Sequence, residues 1–401
     1  MAERIVLSMY LYALTFSAGL MMVTGKYSGE LDYFYLNISK FEVAALYFLT
    51  ALGFIFLFIY YKVTKKKDSD FSIGRWVVLP KRFNVAFFLI LLGNIAFFIN
   101  TKVGLAGGGG GESKYSIIFA PLKVQVIFFL FYIFCRKSPE FRFLFWVNVV
   151  LFIIFSLMQG WTSFFLTIAI FELHFFFQFK RISLPNRILI ICFAPLLLFL
   201  LGGAVYKEAY PYKFEARGQS VSDLGYLEAV DKLVTRLSFF PISVGVYEKN
   251  QEVTKLYDNS SISFKELRGA FRQILPRFLM EQKEFRSLNN NAVQAFMPDL
   301  TAHTSSSFGF LIYGVTLFSI SIFEGILWLL MSVFSIFILK YIFDSLEQYP
   351  GQFNILYFLL ILKLYRDASF ESVFGDSYAY LLYILPVFII FGVIKRRRVE
   401  V

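Results

Sequence analysis

Apolar runs dominate this sequence and break only at short polar connectors, so that hydrophobic stretches of helix-spanning length follow one another along almost the whole chain. An α-helix needs about 17 to 25 mostly apolar residues to cross a hydrocarbon layer about 30 Å thick. The pattern predicts spans at 5–23, 41–61, 84–100, 115–134, 142–159, 161–178, 188–206, one within 308–343, 354–365 with flanks, and 378–394. The expected fold class is therefore an all-α polytopic integral membrane protein with about ten transmembrane helices and one large outer loop. The first run starts at Ile5 and is followed by further spans, which favours a first membrane helix over a cleaved signal peptide.

Connectors alternate in charge. "KVTKKKDSD" with Arg75, Lys81 and Arg82, then "CRKSPEFR", "KRISLPNR" and the tail "KRRRVE" are basic and are assigned to the inside. The intervening "TGKYSGELDYFYLNISK" and "TKVGLAGGGGGESK" are nearly balanced and are assigned outside. The apolar stretch 308–343 has length for two crossings, but two would place "KRRR" outside, so a single tilted crossing running into an interfacial segment is expected. Three regions result: 1–206 with seven helices, 207–307 as a large, partly helical outward loop, and 308–401 with three helices and a basic cytoplasmic tail.

Composition supports the membrane assignment: 58% of residues are hydrophobic, 17% are charged, 53 are phenylalanine, and the mean hydropathy is +0.63. The net charge of +11 sits mostly in inner connectors, as for loops facing anionic lipid, so it does not imply nucleic acid. Two cysteines, Cys135 and Cys192, give no disulfide or metal framework. The run Gly107–Gly111 lacks the lysine and hydroxyl residue that complete a nucleotide phosphate loop, and is expected to be a loop. With no nucleotide motif, energy must come from an activated substrate or an ion gradient.

The loop 207–307 carries 13 Lys or Arg and 12 Asp or Glu. "VSDLGYLEAVDKLVTRLSFF" places Leu224, Leu227, Val230, Leu233, Val234 and Leu237 at helical spacing, which predicts an amphipathic helix on the membrane domain or over a cleft. "SSISFKELRGAFRQILPRFLM" predicts a second, bent or ended at Pro276. Arg217, Arg236, Arg272, Arg277, Arg286 and Arg366 stand beside apolar or aromatic residues. A guanidinium fork suits phosphate oxygens, and several converging would cradle a diphosphate; pairing with acids of the same loop is the competing role. Glu172, His174, Glu324, Lys123 and Lys363 lie in apolar runs, where ionisable groups serve as polar contacts or line a path.

His303, in "QAFMPDLTAHTSSSFGFLIYG", stands at the border between the polar loop and the run starting at Phe308, with Asp299 four residues upstream. It reads either as a plain loop histidine or as a general base beside the outer membrane surface. No second outer histidine accompanies it, and the carboxylates have no ligand spacing, so no metal site is assigned.

The phrases "RLSFFPISVGVYE" at 236–248, "ILPRFLMEQKEF" at 274–285, "TAHTSSSFGFLIYGVTLFSISIFEG" at 301–325 and "LYRDASFES" at 364–372, with the long outer loop, resemble the Wzy-type O-antigen and capsular polysaccharide polymerases. Pro276, Arg277 and Lys283 fit the family's Pro-Arg and Lys-Pro pattern, while Glu284 stands in place of its second proline. Phe308, Gly309, Gly314 and Gly325 match the Phe-Gly and following glycines. The resemblance implies a fold of the membrane-embedded glycosyltransferase and O-antigen ligase class in a bacterial inner membrane, with the site on the periplasmic face and both termini cytoplasmic. It implies transfer of a growing glycan from undecaprenyl diphosphate to the non-reducing end of a lipid-linked repeat unit, without a cofactor. Arg217, Arg236, Arg277, Lys283 and Arg366 are then the expected diphosphate ligands, and His303, Asp299 and Glu284 the expected acid–base or orienting groups. Partners would be the lipid-linked donor and acceptor, a chain-length regulator and other polysaccharide assembly proteins. A glycan ligase, a flippase or ion-coupled transporter of lipid-linked saccharide, and a structural partner of the assembly complex are the rival readings.

Overall fold

The computed structural model describes residues 1–65, 74–102, 119, 124–138, 141–161, 163–178, 180, 182–215, 224–258, 266–268, 287–298, 306–369 and 384–397. It is a helical bundle. The helices are α1 (Ala2–Thr24), α2 (Lys40–Thr64), α3 (Pro80–Thr101), α4 (Val124–Cys135), α5 (Arg142–Met158), α6 (Ser163–Phe177) and α7 (Leu184–Glu215). They continue with α8 (Tyr226–Ser238), α9 (Phe240–Glu248), α10 (Asn250–Asp258), α11 (Leu288–Gln294), α12 (Phe310–Ile320), α13 (Ile322–Leu346), α14 (Asn354–Asp367) and α15 (Leu385–Ile390). A ribbon of β1 (Trp76–Val78) and β2 (Ile394–Arg396) is the one sheet among the described residues.

The expectation of about ten transmembrane helices is corrected here. Five described helices, α1, α2, α3, α7 and α13, are long and apolar enough to cross a membrane. Within the described residues the run expected at 115–134 shows α4 over 124–135, and those expected at 142–159 and 161–178 give helices of 17 and 15 residues. At 1.5 Å per residue α6 covers about 22 Å, short of the hydrocarbon layer, and α5, at about 26 Å, stands at the lower limit of a crossing. The stretch 308–343 breaks at Ser321, whose side chain caps α13 by accepting the Glu324 N–H, so that an 11-residue and a 25-residue helix replace one tilted crossing. Residues 354–365 become a 14-residue helix, and the described part of the run at 378–394 holds α15 followed by β2.

The long helices begin and end on local signals. A reciprocal Ser39–Glu42 capping box starts α2, and Gly25, at φ 67°, ends α1 in the left-handed conformation. Their outward faces are apolar: Leu196, Leu197, Leu200 and Leu201 of α7 and Phe334 and Phe337 of α13 are exposed. Surface of this kind is covered by lipid. The protein is thus a multi-pass helical membrane protein.

One end of the bundle gathers the basic connectors. Trp76 pairs with Arg396 and Val78 with Ile394 across the ribbon, joining the segment after α2 to the C-terminal region. Gly74 N–H donates to the Glu347 carbonyl, Gln348 Nε2 to the Val78 carbonyl, and Gln178 Nε2 to the Pro350 carbonyl. Arg136 donates to both oxygens of Glu172, which also accepts from Tyr132 Oη at 2.6 Å. Glu172 is therefore a polar tie between α4 and α6.

At the other end, Glu248 accepts from Tyr27 Oη at 2.7 Å and from the Asn37 side chain at 2.8 Å, tying α9 to the α1–α2 connector. Between these two points α8 and α9 form a hairpin that enters the bundle. Its tip is Phe239, left-handed at φ 45° and buried against Phe54. Ser238 Oγ meets Ser17 Oγ of α1 at 2.8 Å, seven residues before the end of that helix, so the tip lies about 10 Å inside it.

The amphipathic helix read from 221–240 is thus α8, and it packs into the membrane domain. Val230 and Leu233 close on Gly203 and Gly202 of α7; a Cβ on Gly203 would lie 2.3 Å from Val230 Cγ2. Leu224, Val234 and Leu237 are buried, whereas Leu227 is exposed.

Candidate functional site

A polar centre lies where α14 ends. Ala368, at φ 52°, stops the helix in the left-handed conformation, and Trp328 Nε1 of α13 donates to its carbonyl at 2.6 Å. That stop presents Arg366 and Asp367 side by side. Arg366 Nε donates to Asp367 Oδ1 at 2.6 Å and Nη2 to Oδ2 at 3.1 Å, a two-pronged pair. The Asp367 side chain is 12% exposed and that of Arg366 30%. Tyr10 of α1 interacts with the same guanidinium, and Lys363, one turn back, with the Asp367 carboxylate.

Three stretches distant in sequence meet here. Ser307 Oγ donates to Asp367 Oδ1 at 2.8 Å, and Gly309 N–H to the Arg366 carbonyl at 3.0 Å. Ser243 Oγ of α9 donates to the Phe308 carbonyl at 2.6 Å. Gly309 lets the hairpin tip approach, since a Cβ there would sit 2.4 Å from Phe239 Cε2. Behind them α11 starts on a Ser287–Asn290 capping box. Asn289 Nδ2 reaches toward the Asp367 carbonyl at 3.5 Å, and Ser306 N–H toward the Asn289 carbonyl at 3.4 Å. Asn289 and Asn291 are buried, and among the described residues neither side-chain oxygen has a partner.

A second polar contact joins α10 to α13. Tyr257 Oη donates to Glu324 Oε2 at 3.1 Å. Burial, then the Glu266 and Glu324 carboxylates, push the Tyr257 phenol far above its ordinary value. Tyr27 is raised in the same direction by burial and Glu248. These phenols stay protonated and act as hydrogen-bond donors.

Of the residues singled out from sequence, Arg366 stands in this centre, in the last turn of α14 and not in a loop beyond it. Arg236 is exposed on α8, its guanidinium 5.5 Å from the Tyr206 ring centre. The two arginines thus have different surroundings. Arg217, Arg277 and Lys283, and the acid–base candidates His303, Asp299 and Glu284, lie outside the described residues. Ser307 re-enters four positions after His303 in the sequence. Among the described residues no group of three or more His, Cys, Asp and Glu is placed to hold a metal ion.

Sequence reading missed Asp367, Asn289, Asn291, Ser307 and Tyr10. Asp367 adjoins Arg366 in "YRD" and was open to notice. Tyr10 gave no signal, because only helix packing brings residue 10 to residue 366.

Fold and centre define a multi-pass helical membrane protein with a partly exposed arginine paired to a buried aspartate at the end of α14. In comparisons with known proteins, the chain matches no family model, no curated protein and no solved structure.

Proposed function

We propose that this protein is a bacterial membrane glycosyltransferase that polymerises lipid-linked oligosaccharide repeat units. The observation that carries the reading is the meeting of three stretches that resemble Wzy-type polymerases. Residues 236–248, 306–325 and 364–369 join through Ser243 to Phe308, Ser307 to Asp367 and Gly309 to Arg366.

In this reading Arg366 holds an oxygen of the donor's undecaprenyl diphosphate and stabilises the charge that grows on it as the glycosidic bond breaks. An acceptor sugar hydroxyl attacks the anomeric carbon, its proton passing to His303 or a neighbouring carboxylate, Asp299 or Glu284. Asn289 and Asn291 offer buried amide oxygens to sugar hydroxyls. Arg217, Arg277, Lys283 and Arg236 supply further positive charge from the outer segment. The energy is that of the sugar–diphosphate bond.

The basic connectors gathered at one end support a cytoplasmic side for that end and for both termini, and an outer-facing site at the other. Donor and acceptor are lipid-linked glycans, with a chain-length regulator and other assembly proteins as partners.

The test is to incubate the purified protein in lipid with an undecaprenyl-diphosphate-linked repeat unit and to resolve products by gel and mass spectrometry. A ladder spaced by whole repeats, lost in Arg366→Ala, Arg277→Ala and His303→Ala, is expected. Unchanged substrate with partner proteins supplied overturns the reading, and transfer of a finished chain to a different lipid identifies a ligase.

A further inference from the structure

We infer that Asp367 is a specificity-determining residue, whose carboxylate competes with a ligand diphosphate for the Arg366 guanidinium. The inference rests on the proposed polymerase reading for the identity of the ligand, and on the geometry of the pair for the competition.

Residues adjacent in a helix point to different faces, so an Arg–Asp pair at neighbouring positions does not form in a regular turn. Here it forms in the last turn of α14, where Ala368 ends the helix in the left-handed conformation with its carbonyl held by Trp328 Nε1. Ser307, from the 306–309 segment, fixes Asp367 Oδ1 from another side. Elements remote in sequence thus hold one carboxylate against the Nε and Nη2 edge of the guanidinium. That edge can match two oxygens of a phosphate as it matches two of a carboxylate. Both anions cannot occupy it together.

A buried ion pair contributes little net stability once desolvation is counted, so a pair with this much support is weakly explained by stability. Exchange explains it. When a diphosphate takes the Arg366 edge, Asp367 keeps the Ser307 hydroxyl and the field of Lys363, so its charge is still compensated. A weakly bound anion fails to displace the carboxylate, whereas a diphosphate with two linked groups and an isoprenyl chain held by the bundle succeeds. The pair thereby discriminates against monophosphates and inorganic phosphate.

The probe is farnesyl diphosphate, titrated into purified full-length protein in lipid nanodiscs, with farnesyl monophosphate and inorganic diphosphate beside it. Asp367→Asn keeps the shape and removes the competing charge. It is expected to bind farnesyl diphosphate about tenfold more tightly than wild type and to narrow the gap between diphosphate and monophosphate. Arg366→Gln is expected to lose binding. A pair with only a structural role gives the opposite sign: Asp367→Asn binds equally or more weakly, and that result overturns the inference. Should Asp367→Asn fail to fold, Asp367→Ser, which is small, neutral and able to accept from Ser307, is measured in its place with the same two outcomes.

The repeat-unit ladder separates this inference from the polymerase reading. Tighter binding in Asp367→Asn with no ladder from wild type keeps the competition and removes the polymerase; a ladder with no gain in binding does the reverse.

Discussion

Ser243 and Phe308 are joined by a buried hydrogen bond of 2.6 Å, from the Ser243 hydroxyl to the Phe308 carbonyl, across 65 positions of sequence. It pins the entering hairpin to the chain that leads into α12. The same hydroxyl lies 3.2 Å from the Phe239 carbonyl at the hairpin tip. Phe308 in turn precedes Gly309, whose N–H is held by Arg366. One side chain therefore connects the tip of the hairpin with the polar centre.

Replacing Ser243 with Ala leaves the Phe308 carbonyl buried without this donor, at a cost of about 1–3 kcal/mol. Thermal unfolding in detergent should show a lower midpoint for Ser243→Ala, with Ser243→Thr closer to wild type. Equal midpoints for Ala and wild type would show that the bond carries no weight.

Gly309 has φ 82° and ψ 151°, a region populated almost only by glycine. Gly309→Ala adds both backbone strain, of order 1–3 kcal/mol, and a methyl carbon in contact with the Phe239 ring. The variant should unfold earlier and release the hairpin tip, read as faster hydrogen exchange of α9 amides. A second substitution, Phe239→Ala, removes the clash but not the strain, and should restore only part of the loss. Full restoration would refute the backbone contribution.

Asp231, on α8, has its carboxyl raised by burial first and by the Asp32 carboxylate second; Glu228 adds to the rise and Lys232 opposes it. Since the folded value exceeds the unfolded one, the stabilising contribution is fully present below the unfolded value near 3.9 and is lost as pH rises through the folded value. At neutral pH the charged form therefore weakens the fold. Asp231→Asn should raise the unfolding midpoint at about pH 7, with an advantage over wild type that shrinks on acidification toward about pH 4. An advantage independent of pH would point to packing instead of charge.

Much of the frame was legible from hydropathy, and its failures share one cause. α1, α2 and α3 were found near both boundaries and α7 near its start, because long apolar runs with polar ends define them. α4 is as apolar as a span, yet 10 of its 12 residues are buried inside the protein. Its Phe128 stacks on Phe152 of α5 at 3.7 Å, and Phe131 on Phe87 of α3 at 4.4 Å. Hydropathy reports that a side chain avoids water and is silent on whether lipid or another helix covers it. The same holds for α14, where 10 of 14 residues are buried.

The site divides in the same manner. Arg366 was found because an arginine after an apolar run is conspicuous, and its partner Asp367 stood beside it. Asn289 in "LNNNA" offers no periodic or charge signal, and its role follows only from the position of α11 behind the α14 terminus. Arg236 shows the converse: sequence gave it the same standing as Arg366, while the structure leaves it exposed on α8 over a tyrosine ring.

That contrast yields the sharpest functional expectation. An exposed guanidinium over an aromatic ring contributes about 0.5–1 kcal/mol. Removing Arg366 leaves only Ser307 and Lys363 against the charge of the Asp367 carboxylate and, on the proposed polymerase reading, deletes the charge that a leaving diphosphate would meet. In the repeat-unit assay, Arg366→Ala should lower the rate of ladder formation by about 100-fold or more. Arg236→Ala should change it by less than about tenfold, mainly through donor affinity at low salt, where an exposed charge acts over distance. Arg366→Lys keeps the charge but loses the planar fork, and should fall nearer to Ala than to wild type. Equal losses for Arg236→Ala and Arg366→Ala would place both side chains on the same diphosphate, and with it a rearrangement of α8 toward α14 during turnover.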